Sequence, residues 1–213
     1  LGDVYKRQPK IVYTTKDLMD KSKQKWHLKQ ATKREVLKNN NQTIYELMIS
    51  KDAILNPYNY KSSVKNLDVI PSNVDLSGFE TEVAEDGKRA FFLNDVLRPL
   101  AQSNQYDYIL VDCPPSLSLL TIMALVGSDT VLVPLQSEFF ALEGLSQLVK
   151  TINRVKQNLN TSLSIQGIVL TMFDKRNKLC YEVEKEARKY FPNEVYKTVI
   201  PRNIRICLLY TSP

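Results

Sequence analysis

The sequence predicts a three-layer α/β/α domain built on a mostly parallel sheet. Three observations carry that expectation. Tyr108–Asp112, Thr130–Leu135 and Gln166–Thr171 are short, nearly unbroken apolar runs, the pattern of strands covered on both faces. Apolar stripes at helical spacing separate them, most clearly Leu145, Leu148, Val149, Ile152, Val155 and Leu159. Such alternation is that of β-α-β units, whose right-handed crossovers gather the strand C-termini at one edge, where ligands bind.

Taken in order, the elements are justified as follows. Residues 9–40 are lysine-rich without a clean apolar period, so no element is assigned to them. Thr43 and Glu46 stand at the spacing of a capping box and open a short helix over Thr43–Ile49. Leu67–Ile70 reads as a short strand ended by Pro71. Phe91, Phe92, Val96, Leu97 and Leu100 give helical spacing over 88–103, with Pro99 expected to kink or end the run. Strand Tyr108–Asp112 is stopped by Pro114 and Pro115, and a helix is predicted over 116–126. Thr130–Leu135 is the next strand, followed by a long helix over about 142–159. Gln166–Thr171 precedes a helix over 179–191 that aligns Val183, Ala187 and Tyr190. Val195–Ile200 reads as a final strand.

Composition narrows the function classes. At 213 residues, 43% hydrophobic and 24% charged, the chain suits one ordinary globular domain. No run approaches the roughly 18 apolar residues needed to span a bilayer. Residues 1–8 carry no apolar core before a cleavage site, so no secretory signal is expected. Cys113, Cys180 and Cys207 are odd in number and form no C-x-x-C, which argues against a disulfide framework, a zinc site or an iron–sulfur cluster within the chain. A reducing cytoplasm is the expected compartment. Cys180 reads as a packed or surface thiol and His27 lies in the unpatterned segment, so neither is offered as a ligand. Charge is unevenly spread. Residues 41–149 hold six bases and fourteen acids, whereas residues 150–213 hold twelve bases and five acids. A basic C-terminal third is compatible both with nucleic-acid contact and with a solvated helix face.

The chemistry begins at Asp112. Four apolar residues fix a strand, and its first polar residue then emerges at the C-terminal edge, where an aspartate can hold Mg²⁺ beside phosphates. Many α/β strands end this way, so the pattern alone is weak. Its surroundings are more specific. Tyr106-Asp-Tyr-Ile-Leu-Val-Asp-Cys-Pro-Pro-Ser-Leu-Ser-Leu-Leu-Thr121 resembles the Walker B and switch II region of the ParA/Soj family of partition ATPases. Further segments resemble that family in the same order: Asn66–Gly78, Val133–Ser146, Gly167–Arg176 and Val199–Arg205. The likeness runs over residues 41–206. Residues 9–40 remain an unmatched basic segment, and residues 1–8 and 207–213 resemble translated adaptor strings and are expected to be artefacts.

The resemblance implies a P-loop NTPase-like fold and roles for matching residues. Asp112 would be the Walker B aspartate, catalytic and magnesium-holding. Cys113, Pro114, Pro115 and Ser116 would form the loop that senses the γ-phosphate. Thr171, Met172, Asp174, Pro201 and Arg202 would line the base pocket, although Pro201 could equally end a strand and Asp174 cap a helix. Residues 141–144 lie where related ATPases build a dimer face, and a helix N-terminal turn explains Glu143 equally well. The family implies ATP and Mg²⁺ as cofactors, a homodimer, a ParB-type centromere-binding partner and sequence-independent DNA binding. Here that binding would use bases such as Arg188, Lys189, Lys197, Arg202 and Arg205, in a cytoplasmic, nucleoid-associated protein with no membrane contact.

One element of the family pattern is missing. A G-x-x-x-x-G-K-[ST] cradle needs closely spaced glycines so that backbone N–H groups can wrap phosphates. The glycines are Gly2, Gly78, Gly87, Gly127, Gly144 and Gly167, and no two stand within five residues of each other. The chain is therefore expected to be a truncated family member, lacking the first strand and the phosphate loop and inactive as an ATPase. Two alternatives stand beside the segregation motor: a MinD-like membrane-cycling ATPase, and a non-hydrolysing module that binds DNA or a partner.

Overall fold

The structure is a computed structural model that describes residues 10–15, 42–50, 55, 60–62, 66–103, 105–113, 116–138 and 140–203. Its sheet contains β1 (Lys10–Thr15), β2 (Tyr108–Cys113), β3 (Thr130–Gln136) and β4 (Ser164–Thr171), in the order β2-β1-β3-β4. Every pairing is parallel. Thr14 and Thr15 pair with Asp112 and Cys113, and Gln136 pairs with Thr171, so all four strands end at one edge. The expected parallel α/β fold is present.

The strand that sequence reasoning left out is β1, which fills the place between β2 and β3. The first strand is thus not absent from this sheet. Its Ile-Val-Tyr-Thr-Thr run has high β-propensity, a signal masked by the lysines around it.

The helices are α1 (Ile44–Ile49), α2 (Phe79–Glu82), α3 (Phe92–Gln102), α4 (Leu119–Gly127), α5 (Ala141–Asn158) and α6 (Lys178–Tyr190). The capping box is formed at α1, where the Thr43 N–H donates to the Glu46 carboxylate at 2.6 Å. Pro99 does not end α3. It sits inside the helix on the exposed side, and the Ser103 N–H still reaches the Pro99 carbonyl at 3.1 Å. None of the described helices is long and apolar enough to cross a membrane.

Helices α3 to α6 touch one another in succession. The steps from β2 to β3 to β4 all run in one direction, and right-handed crossovers then put their helices on the same face. Val131, Val133 and Leu135 of β3 are fully buried there, in one core with Leu145, Leu148 and Ile152 of α5. Phe79 is fully enclosed, edge to face with Tyr45 at 6.0 Å and Phe92 at 5.6 Å.

The expectation of strands covered on both faces fails at β2. It alternates, with Tyr108 63% and Leu110 67% exposed. Solid apolar composition does not reveal that β2 is the outermost strand among the described residues.

Two predicted strands differ as well. Leu67–Ile70 forms only an antiparallel bridge between Lys61 and Asp68, closed by a turn in which Asn66 adopts φ 63°. With no sheet beside it, this segment pairs only with its own neighbourhood. Val195–Ile200 follows β4 in parallel but forms no continuous strand: it bridges at Ile168↔Val195, the Ile200 N–H donates to Leu170 O at 2.8 Å, and the next bridge, Phe173↔Pro201, lies just past both segments.

Candidate functional site

The C-terminal edge of the sheet collects most of the predicted site residues. Asp112 is exposed at the end of β2, beside Thr14 of β1. Period-2 alternation turns its neighbour the other way. Cys113 is 7% exposed and belongs to the main apolar core, so only its backbone can face a ligand. Pro114 and Pro115 lie outside the described residues.

Past this loop, α4 begins under two constraints that sequence reasoning missed. The Glu80 carboxylate accepts from the Leu120 N–H at 3.2 Å, and the Thr121 hydroxyl donates to the Ser116 carbonyl. The first turn of α4 leaves N–H groups without helical partners, and Glu80 satisfies one of them from a distant element.

The end of β4 turns sharply. Thr171 is the last strand residue, and Met172 takes φ 53°, in the left-handed region that non-glycine residues rarely adopt. The turn sends Phe173 toward the Pro201 segment: the Phe173 N–H donates to Ile200 O and the Arg202 N–H to Phe173 O, both at 3.1 Å. Thr171, Met172, Asp174, Pro201 and Arg202, from two separate segments, are thereby brought together at the rim. Phe173 itself is buried against the edge of the Tyr181 ring, 5.2 Å away.

Asp174 is tightly engaged. Its carboxylate accepts from Arg176 Nε at 3.1 Å, Arg176 Nη2 at 2.9 Å and the Arg176 backbone N–H at 3.0 Å. The Arg176 hydrogen bonds, aided by the nearby charge of Arg202, hold its pKa down at about 2. The helix-capping role left open for Asp174 belongs instead to Asn177, whose side chain accepts from the Leu179 N–H at 3.0 Å. Arg176 was not singled out from the sequence. Its position two residues after Asp174 was the available signal.

Between these groups, Ser137 is 4% exposed. Gln136 Oε1 and Ser137 Oγ are buried without a hydrogen-bond partner among the described residues. Glu143 is exposed in the first turn of α5, where the helix dipole favours a carboxylate.

The proposed DNA contacts do not form one cluster. Lys189 and Lys197 are exposed, but Lys189 lies near the C-terminal end of α6, which runs antiparallel to the strands and so ends at the edge opposite Asp112. Arg202 is exposed on the Asp112 edge, and Arg205 lies outside the described residues. Arg188 is committed internally. It bonds the Glu184 carboxylate at 2.7 and 2.9 Å and reaches the Val195, Tyr196 and Lys197 carbonyls.

Fit to the implied cofactors is partial. No cluster of three or more acidic, histidine or cysteine ligands occurs among the described residues. An exposed carboxylate such as Asp112 suits Mg²⁺, which keeps several waters and binds through one or two carboxylates plus substrate phosphates. Thr171, Asp174, Pro201 and Arg202 share one rim of the sheet. The phosphate cradle is not in this sequence, so the residues present do not fit a catalytically bound triphosphate.

Residues 17–165 match a protein-family model described as an AAA domain. The chain is 46% identical over 164 residues to the chromosome partitioning protein ParA of Caulobacter vibrioides, covering 77% of this chain and 61% of that protein. It is 47% identical over 165 residues to the sporulation initiation inhibitor protein Soj of Bacillus subtilis, covering 78% and 64%. Among solved structures it resembles cobyrinic acid a,c-diamide synthase of Mycobacterium smegmatis with bound ADP and magnesium. That match has a TM-score of 0.71 and 26% identity, over 92% of this chain and 76% of the other. The chain thus spans less than two thirds of the length of these curated relatives.

Proposed function

Since the chain belongs to the AAA-domain family of ParA and Soj chromosome-partitioning proteins, we propose that it is the magnesium- and base-side portion of a DNA-segregation ATPase. The observation that carries this reading is the shared rim. Asp112 ends a parallel strand on the same sheet edge as Thr171, Asp174, Pro201 and Arg202. A parallel α/β sheet binds ligands at that edge. Asp112 would hold Mg²⁺ through water, and the metal would neutralise charge on the phosphates when both are bound. Thr171, Asp174, Pro201 and Arg202 would orient the base. As in the family, two copies would form the ATP-bound dimer, which binds DNA without sequence preference and answers to a ParB-type centromere-binding protein. Its place is the cytoplasm, on the nucleoid, and its cargo is a chromosome or a plasmid.

Hydrolysis is not assigned to this chain. The absent glycine cradle favours a second reading for the polypeptide itself, a module that binds without turnover. ATP turnover by the purified chain is expected to equal the no-protein background. Turnover that disappears in Asp112→Ala would overturn the second reading. DNA binding, followed by fluorescence anisotropy of a random-sequence duplex, is expected to weaken steeply between roughly 50 and 200 mM salt. Charge reversal at Lys189 and Lys197 should reduce it uniformly across sequences. Affinity that is indifferent to salt and to both lysines would sink the DNA-binding part.

A further inference from the structure

We propose that Arg188 is a positioning residue for the base side of the rim, acting from the far end of α6 through the segment 195–202. The proposal rests on the reading of that rim as a nucleotide site. Its guanidinium is a planar fork, fixed on one side by Glu184 one helical turn back, with Nη2 at 2.7 Å and Nε at 2.9 Å. The other side faces backbone. Nη2 reaches the Tyr196 carbonyl at 3.1 Å and the Lys197 carbonyl at 3.5 Å, and Nη1 reaches the Val195 carbonyl at 3.4 Å. Three successive carbonyls of an irregular segment are thus held by one side chain.

This grip falls where the segment most needs it. Residues 195–201 run beside β4 and the turn after it through isolated bridges at Ile168↔Val195 and Phe173↔Pro201 and a backbone bond at Leu170, so no continuous ladder sets their register. A second contact reinforces the near end. Tyr196 lies across Gly167, where any added Cβ would come within 2.5 Å of its ring, and the Tyr196 N–H donates to Ile168 O at 2.9 Å. Fixing 195–197 fixes how much chain remains to reach the rim. At the far end, the Ile200 N–H meets Leu170 O at 2.8 Å and the Arg202 N–H meets Phe173 O, next to Asp174. A slip of one residue would move Pro201 and Arg202 off Phe173. The helix between Lys178 and Arg188 is roughly 15 Å long, so Arg188 cannot touch the rim. Any effect there must travel through the held segment.

The test is amide hydrogen exchange, resolved by residue, on the whole chain. Arg188→Lys keeps the charge and much of the stem but loses the fork, and Arg188→Ala removes both. In both variants exchange at Tyr196, Ile200 and Arg202 is expected to rise at least ~10-fold, by loss of a three-carbonyl hold. Amides of β3 and α5 should be unchanged. Faster exchange at Tyr196 with Arg202 unaltered would reduce Arg188 to a local staple and overturn the proposal, as would protection fully retained in Arg188→Lys. A parallel titration with ADP and Mg²⁺ separates the two claims. No ADP binding by the unmodified chain counts against the nucleotide reading, while the exchange at Arg202 still decides the long-range hold. If ADP binds, both variants should weaken it, and equal affinity would reject the role at the base.

Discussion

Asp174 carries three hydrogen bonds from Arg176, one from the backbone and two from the side chain. Its depressed pKa has a definite sign in pH. The pair's contribution is complete above the ordinary aspartate value near 4 and is lost as pH falls through about 2. Arg176→Ala should return the Asp174 carboxyl to nearly its ordinary titration, read by side-chain carboxyl NMR. A titration still near 2 would mean that Arg202 or the backbone dominates. At this scale the sequence was informative where a residue's role follows from its place in a strand. Asp112 was legible as the first polar residue after an apolar run. Cys113 is different: adjacency to Asp112 in sequence does not show that the pleat sends the two side chains to opposite faces, with Cys113 buried in the core. Arg188 was illegible as a clamp, since the carbonyls it binds belong to backbone whose path no side chain announces.

Element α4 stands behind the loop that follows Asp112 and is held at both ends by side chains from elsewhere. Glu80 meets its first turn, and at its far end Asn160 Nδ2 donates to the carbonyls of Leu125, Val126 and Ser128 at 3.1, 3.1 and 2.7 Å. Arg98 adds a contact to Asp129 at 3.0 Å. Asn160→Ala would leave partly buried helix-end carbonyls unsatisfied, at a cost of ~1–3 kcal/mol, and should lower the denaturant midpoint with an unchanged m-value. A loss below ~0.5 kcal/mol would show that water replaces the amide without penalty. Strands β2, β3 and β4 and helices α5 and α6 were legible to within a few residues, because buried strands and amphipathic helices write their periods into the sequence. Val195–Ile200 was read as a continuous strand because its composition is right. Its interrupted attachment goes with Tyr196 lying over Gly167 and the Arg188 fork meeting three carbonyls, and both are tertiary facts.

For the whole molecule, the decisive feature is that β1 pairs on both sides, with six residues facing β2 and three facing β3. Among the described residues β2 and β3 do not pair with each other, so the sheet is continuous only through Lys10–Thr15. Tyr13→Pro would remove a backbone donor and lock φ in the middle of that strand. Unfolding should then lose its single cooperative transition, with β2 and its neighbours melting apart from β3 and β4. A single transition shifted by less than ~1 kcal/mol would mean that β1 contributes little. The same arrangement governs the order in which the molecule can assemble. During synthesis β1 leaves the ribosome roughly 90 residues before its first partner, a wait of roughly 5–20 s at ordinary elongation rates. Throughout that interval its backbone donors and acceptors must be hydrated or held by another protein, so nascent chains with both edges of β1 unpaired are the species from which strand-to-strand aggregation would start.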